Sequence, residues 1–206
     1  IFKQQGNFVN YIITYSPHTP FTTEKEVGKI LAEEKYGKGN VPKLSEEDCA
    51  KMAASETDNM VGLLIQALKD NGLYDNTVIV AYADHYLYTL DDKSILDKYK
   101  ETSNNLINHT PFFIWSSDLG QLTSISKVNM QMDILPTVLN LFGIDYNSNN
   151  YIGHDILSND FKGYAFFSDY SWYDGKVYVE NQQITNGKKM STNKLDSMNN
   201  LISNVI

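Results

Sequence analysis

The chain has 206 residues, 42% of them apolar and 20% charged, so it can build a sizeable core and is neither a disordered tail nor a bundle of membrane helices. Its formal charge is −8, from 25 acids against 17 bases, and every base is lysine. Without arginine or a basic run, nothing would displace many counterions from phosphates, so no nucleic-acid partner is expected.

The chain starts Ile1-Phe2-Lys3 rather than at methionine and reads as a piece of a longer polypeptide, with neither a signal peptide nor a spanning segment in these residues. Phe8 to Tyr15 is rich in β-branched and aromatic residues and predicts a largely buried strand. Ser16-Pro17-His18-Thr19-Pro20 follows as a loop, since two prolines prevent a ladder from continuing. Residues 24–44 are charged and glycine-containing, which predicts an irregular exposed stretch.

Ser45 and Asp48 have the spacing of a capping box. Beyond them Ala53, Thr57, Met60, Val61, Leu64 and Leu68 recur every three or four residues as one stripe of an amphipathic helix, with Gly72 placed to end it. Thr77 to Tyr82 is apolar on both faces, as a central strand of a parallel sheet would be, and it stops at Ala83-Asp84-His85. Tyr86 to His109 is polar with a short helix near 91–100, and Pro111 to Trp115 is a third strand.

Met132 to Phe142 reads as a helix, with Pro136 in its first turn and Gly143 after its end. Beyond Gly163 come short aromatic strands, 164–167 and 176–179, and then a weakly helical tail from Thr192. The expected fold is therefore α/β, a mostly parallel sheet flanked by helices with a small C-terminal β-rich region, divided into residues 1–160 and 161–206. Cys49 is the sole cysteine and forms neither an intrachain disulfide nor a zinc cluster.

In such sheets ligands gather at the carboxyl ends of strands, which singles out 16–21 and the pair Asp84-His85. A carboxylate oxygen and an imidazole nitrogen suit a divalent metal; the plain alternative is a surface Asp beside a hydrogen-bonded His. His18, held between prolines, is a candidate acid, base or anion contact, or else a loop histidine packed on Tyr15 or Phe21. His109 lies ahead of a strand, where histidines are more often structural, and it is kept as a weaker substrate-contact candidate. His154 sits in a turn-like stretch and reads as structural. Thr14, Ser16, Thr19, Thr22 and Thr23 are nucleophile candidates by type alone, with no activating context. The aromatic group of Phe166, Phe167, Tyr170, Trp172 and Tyr173 suits either a sugar-stacking surface or a small core under a hairpin.

Read together, Glu56-Thr57-Asp58-Asn59-Met60-Val61-Gly62, Asp75-Asn76-Thr77-Val78-Ile79-Val80 and Asp84-His85 resemble the helix, strand and metal block of the alkaline phosphatase and sulfatase superfamily. Gln131-Met132-Asp133-Ile134-Leu135-Pro136-Thr137, with Gly143 after it, resembles that superfamily's later helix. Tyr15-Ser16-Pro17-His18-Thr19-Pro20-Phe21 is similar to a loop of lipoteichoic acid synthases and related phosphoglycerol transferases, and Tyr86 after Asp84-His85 fits that branch.

The resemblance implies an alkaline phosphatase-like fold and a metal-dependent transfer of phosphoglycerol from an anionic glycerophospholipid donor to a glycolipid or polymer acceptor. It makes Asp84 and His85 ligands of a divalent ion, manganese in that branch, with zinc, magnesium or calcium as alternatives, and His18 a substrate-phosphate contact. The nucleophilic threonine, a further acidic ligand and membrane-spanning segments would lie upstream, so no catalytic nucleophile is expected here. The chain would be the C-terminal part of a catalytic domain on the extracellular face of a bacterial membrane, inactive alone. A sulfatase or phosphodiesterase of the same fold is the alternative, and a non-catalytic module binding a cell-surface polymer is the alternative from another class.

Overall fold

The computed structural model describes residues 6–206; the Ile1-Phe2-Lys3 start lies outside them. The chain divides into two compact units, the first ending at Leu122 and the second running Thr123–Ile206. The boundary expected at 160/161 falls inside the second unit. Lys127 Nζ donates to the Phe161 carbonyl at 2.6 Å, and a Cβ on Gly163 would lie 2.9 Å from Lys127 Cβ, so residues on both sides of 160 belong to one packed body.

In the first unit, helix α1 (Glu26–Tyr36) occupies part of the stretch expected to be irregular. Its buried face consists of Gly28 and Ala32, one turn apart and too small to register as a hydrophobic stripe. A Cβ on Gly28 would lie 2.1 Å from the Thr22 carbonyl oxygen, so this glycine marks a close backbone approach and not a break. Helix α2 (Glu46–Asp70) starts as its sequence predicts: Ser45 Oγ accepts from the Asp48 amide at 3.1 Å, and the Asp48 carboxylate accepts from the Ser45 amide at 3.4 Å. It closes with Gly72 N–H to Lys69 O and Leu73 N–H to Leu68 O, at 3.1 and 2.9 Å.

Strands β1 (Val78–Tyr82) and β2 (Phe112–Ser116) pair with each other in antiparallel register, Val78 with Ser116 through Tyr82 with Phe112. The α/β class and its C-terminal β-rich region stand. Among the described residues, however, every ladder is antiparallel, where a parallel arrangement was expected of these strands. Burial on both faces fits either direction; the route of residues 83–111, which leave and return at one end of the pair, decides it. Phe8 to Tyr15 has the composition of a strand but no ladder. Val9 is 95% exposed, and Tyr11 Oη meets Tyr82 Oη at 3.2 Å. Propensity favours extension, while a strand also needs a neighbouring edge.

Helix α3 (Ser94–Tyr99) lies where a short helix was expected near 91–100, and Phe21, Cys49, Ala53, Leu90, Ile95 and Leu96 form the buried core around it. Glu47 on α2 accepts from Lys98 Nζ at 2.6 Å, Tyr99 Oη at 2.5 Å and Lys51 Nζ at 2.8 Å, tying α3 to α2. Those donors, Lys51 foremost, pull the Glu47 carboxyl from 4.5 to about 2.

The second unit opens with helix α4 (Ile134–Leu141). Leu135 and Phe142 are exposed, and its buried face is Pro136 and Thr137. Strands β3 (Ala165–Phe166), β4 (Trp172–Tyr173), β5 (Val177–Glu180) and β6 (Gln183–Gly187) form one antiparallel sheet in that order. Helix α5 (Thr192–Val205) places Ile202 against Trp172, Val177 and Val179, and Trp172 Nε1 donates to Asn199 Oδ1 at 2.9 Å. Trp172 is therefore core, the second of the two readings of the aromatic group.

Candidate functional site

The last rung beyond β1 is the Ala83 N–H donating to the Pro111 carbonyl at 3.2 Å. Past it the chain leaves the ladder, so the alternation that points neighbouring strand residues to opposite faces no longer applies to Asp84 and His85. Their side chains converge: Asp84 Oδ2 lies 3.6 Å from His85 Nε2, and Asp84 Oδ1 accepts the His85 amide at 2.9 Å. His85 Nδ1 sits 2.7 Å from the Tyr86 carbonyl oxygen. A carbonyl only accepts, so Nδ1 carries a proton, and it is Nε2 that offers a lone pair to a metal in the neutral ring. Tyr88 meets the His85 ring edge-on at 4.8 Å and limits its rotation.

One anionic oxygen and one neutral imidazole nitrogen, turned toward each other on the exposed end of a strand, fit a divalent ion as part of a ligand set. Among the described residues no group of three or more His, Cys, Asp or Glu side chains gathers around an ion-sized point. By itself the pair falls short of a complete ligand set.

His18 belongs to a loop tied to the same region. Its amide donates to the Tyr15 carbonyl at 3.0 Å, its Nδ1–H donates to the Thr19 carbonyl at 2.7 Å, and its ring stacks on Tyr15 with centroids 5.6 Å apart. Thr89 Oγ1 donates to Thr19 Oγ1 at 3.0 Å, linking the His18 loop to the segment that carries His85. The buried Phe21 and the carboxylate of Glu46, which accepts the amides of Asp91 and Asp92 at 2.9 and 2.8 Å, fasten the two loops to the start of α2. Between them runs a groove of about 590 Å³ lined by Thr19, Phe21, Glu46, Thr89 and Asp92 among others.

The antiparallel register moves His109. Ahead of a strand in a parallel sheet it would lie at the far end from Asp84. Here Thr110 Oγ1 reaches the Ala83 carbonyl at 3.5 Å, so His109 returns to the strand end that bears Asp84 and His85. Lys100 donates to the His109 carbonyl and lies over the Tyr86 ring, 5.9 Å from its centroid; burial holds its ammonium below the usual range.

In the second unit, the contact made at His154 comes from its backbone. Its amide donates at 2.7 Å to Oδ1 of Asp133, whose Oδ2 accepts the Met130 amide at 2.8 Å. Asp133 is 1% exposed, and burial pushes its carboxyl above the usual range against those two hydrogen bonds. A role for Asp133 was not read from the sequence. The signal available was an acid ahead of an apolar helix start, which looks the same as an ordinary exposed first-turn acid.

Residues 1–144 match the family model described as Sulfatase. The chain is 31% identical over 189 residues to a lipoteichoic acid synthase of Staphylococcus saprophyticus and 30% identical over 189 residues to one of Staphylococcus aureus. Each match covers 85% of this chain and 28% of the relative, so the chain spans little more than a quarter of their length. The crystal structure of the lipoteichoic acid synthase LtaP from Listeria monocytogenes superposes with a TM-score of 0.69 at 24% identity, covering 93% of this chain and 51% of that one. At that identity the likeness is one of fold.

Proposed function

This chain belongs to the sulfatase family, and from that premise we propose that it carries the metal-ligand pair and a substrate-phosphate contact of a phosphoglycerol transferase of the lipoteichoic acid synthase type. The observation that supports this reading is the convergence of Asp84 Oδ2 and His85 Nε2 at the end of β1, on a histidine whose tautomer is set by the Tyr86 carbonyl. Similarity to lipoteichoic acid synthases over 85% of the chain supports transfer in preference to other chemistry of the family.

In this reading Asp84 and His85 hold a divalent ion, manganese by resemblance, together with ligands from outside the described residues. When bound, the ion supplies Lewis-acid stabilisation of charge on the transferred phosphoryl group. Asp84 contributes the negative charge that retains the cation, and Tyr86 O keeps the His85 ring oriented. His18, protonated at Nε2 beside an anionic phosphodiester, donates a hydrogen bond to a phosphate oxygen or passes its proton to the departing alkoxide.

The nucleophile is a threonine hydroxyl contributed by preceding sequence of a longer polypeptide. Its oxygen bonds to phosphorus of an anionic glycerophospholipid as the bond to the diacylglycerol oxygen breaks, leaving a phosphoglycerol ester on the enzyme. A glycerol hydroxyl of the growing polymer or of a glycolipid then displaces the threonine. The membrane anchor also belongs to that longer polypeptide, and the site faces the outside of the cell. Water in place of the acceptor hydroxyl would make the same site a hydrolase, a second reading favoured by the description of the family model.

The test is manganese titration by calorimetry, with turnover of phosphatidylglycerol, on the longer polypeptide and its Asp84→Ala and His85→Ala variants. About one ion per chain, lost with turnover in both variants, supports the reading. Metal uptake and turnover unchanged by both substitutions would overturn it in favour of a non-catalytic polymer-binding module. Released free glycerol phosphate without polymer growth would favour the hydrolase.

A further inference from the structure

The second unit concentrates positive charge in one place, although the chain as a whole carries −8. The β5–β6 register pairs Val177 with Gly187, which sets Lys176 beside Lys188 at the end of the hairpin, with Lys189 next in the chain. A Cβ on Gly187 would lie 2.1 Å from the Lys176 carbonyl oxygen, so the two segments touch there without an intervening side chain. Lys194, in the first turn of α5, reaches Asp174 Oδ2 at 3.7 Å, and Oδ1 of the same carboxylate accepts the Lys176 and Val177 amides at 3.0 Å each. All four lysines are exposed.

The platform beneath them is built. Met190 packs on the Trp172 core and holds the turn that carries Lys188 and Lys189. Helix α5 begins here with Ser191 at its N-cap and no side-chain cap, so the positive end of its dipole adds to the lysines. The carboxylates nearest in the chain are Asp174, already engaged, Glu180 at the opposite end of β5 and Asp196 one turn into α5. The four exposed lysines come from three segments brought together at this end of the sheet, with Lys194 shared with the Asp174 carboxylate.

We propose that this lysine face docks on an anionic phospholipid bilayer. Charge complementarity argues for it: a bilayer presents many negative headgroups in a plane, matching an area of exposed point charges better than a single anion would. Screening explains how a chain of net charge −8 binds there. The Debye length is about 8 Å at physiological ionic strength, so a headgroup layer responds to the nearest lysines and not to distant acids. Docking of this kind orients the chain on a membrane and is independent of the transfer chemistry proposed above.

The test is sedimentation of the full chain with vesicles of phosphatidylcholine containing 30% phosphatidylglycerol (about that anionic content suits the comparison), with circular dichroism confirming that each variant is folded. Lys188→Glu/Lys189→Glu is expected to weaken vesicle binding by about 30-fold or more, and raising salt is expected to weaken the wild type in parallel. Lys38→Glu/Lys43→Glu changes the net charge equally in the other unit and is expected to leave most of the binding intact. Equal loss in both double variants would overturn the proposal, because net charge and not this face would then govern binding. Wild-type binding to soluble polyglycerophosphate but not to vesicles would overturn it in favour of a polymer contact.

Discussion

The hydroxyl of Thr89 donates to the hydroxyl of Thr19 at 3.0 Å, a contact between residues 70 apart in sequence. It joins the loop that carries His18 to the one that carries His85. Each loop is set locally by a histidine Nδ1–H on a neighbouring carbonyl, and this bond relates one loop to the other. Replacing Thr89 by Val removes the donor while preserving shape. Global stability is expected to change by about 1 kcal/mol or less, since the pair is solvent-exposed. Turnover in the longer polypeptide should fall by more than that cost implies, because loop placement is what is lost. Chemical denaturation beside steady-state kinetics would check it; parallel small losses in both would show that the bond positions nothing.

Glu47 offers a pH signature. Its folded carboxyl is lowered from 4.5 to about 2, so the unfolded chain binds a proton first as pH falls. The stabilisation it provides is complete above about 4.5 and disappears as pH falls through about 2. Thermal melts of wild type and Glu47→Gln should differ at pH 7 and converge across that window. A constant difference from pH 7 to pH 2 would show that the contact with Lys51, Lys98 and Tyr99 is steric and not ionic.

Asp133 runs the other way. Burial raises its carboxyl above the ordinary 3.8, so the folded state holds its proton more tightly and stability from this group declines as pH rises through the folded value. The carboxylate nevertheless receives two backbone amides. Asp133→Ala leaves those of Met130 and His154 without their acceptor, and urea unfolding is expected to register a loss of about 2–5 kcal/mol. Asp133→Asn keeps one acceptor oxygen and should lose about half as much.

Two helical glycines should respond with opposite sign to the same substitution. Gly28→Ala forces a Cβ to 2.1 Å from the Thr22 carbonyl and is expected to destabilise the chain by about 1–3 kcal/mol. Gly62→Ala meets nothing within 4 Å inside α2 and should stabilise by up to about 1 kcal/mol through helix propensity. Thermal melts of the two variants, run side by side, decide whether the α1 contact is as tight as the geometry indicates.

Much of the site was legible because its determinants are local. Ser45 and Asp48 specify the start of α2 through hydrogen bonds three residues apart, and the apolar run 77–82 ending in Asp84-His85 announces a strand with two ligand types at its exit. What escaped is equally specific. Helix α1 hid because Gly28 and Ala32 make its buried face with almost no side chain, and Asp133 hid because a buried acceptor of two amides has the same letter as an exposed acid.

The ends of α2, the place of β1 and the identity of the paired donors were thus determined by the sequence itself, since each depends on interactions within a few residues. Strand direction, the return of His109 to the Asp84 end and the Thr19–Thr89 link were decided only by tertiary structure. A strand's apolar pattern states which faces are covered and carries no information about which partner edge, running which way, will cover them. For Phe8 to Tyr15 that physics cuts the other way: the side chains favour extension, but without a neighbouring edge to complete its hydrogen bonds the segment is not a strand among the described residues.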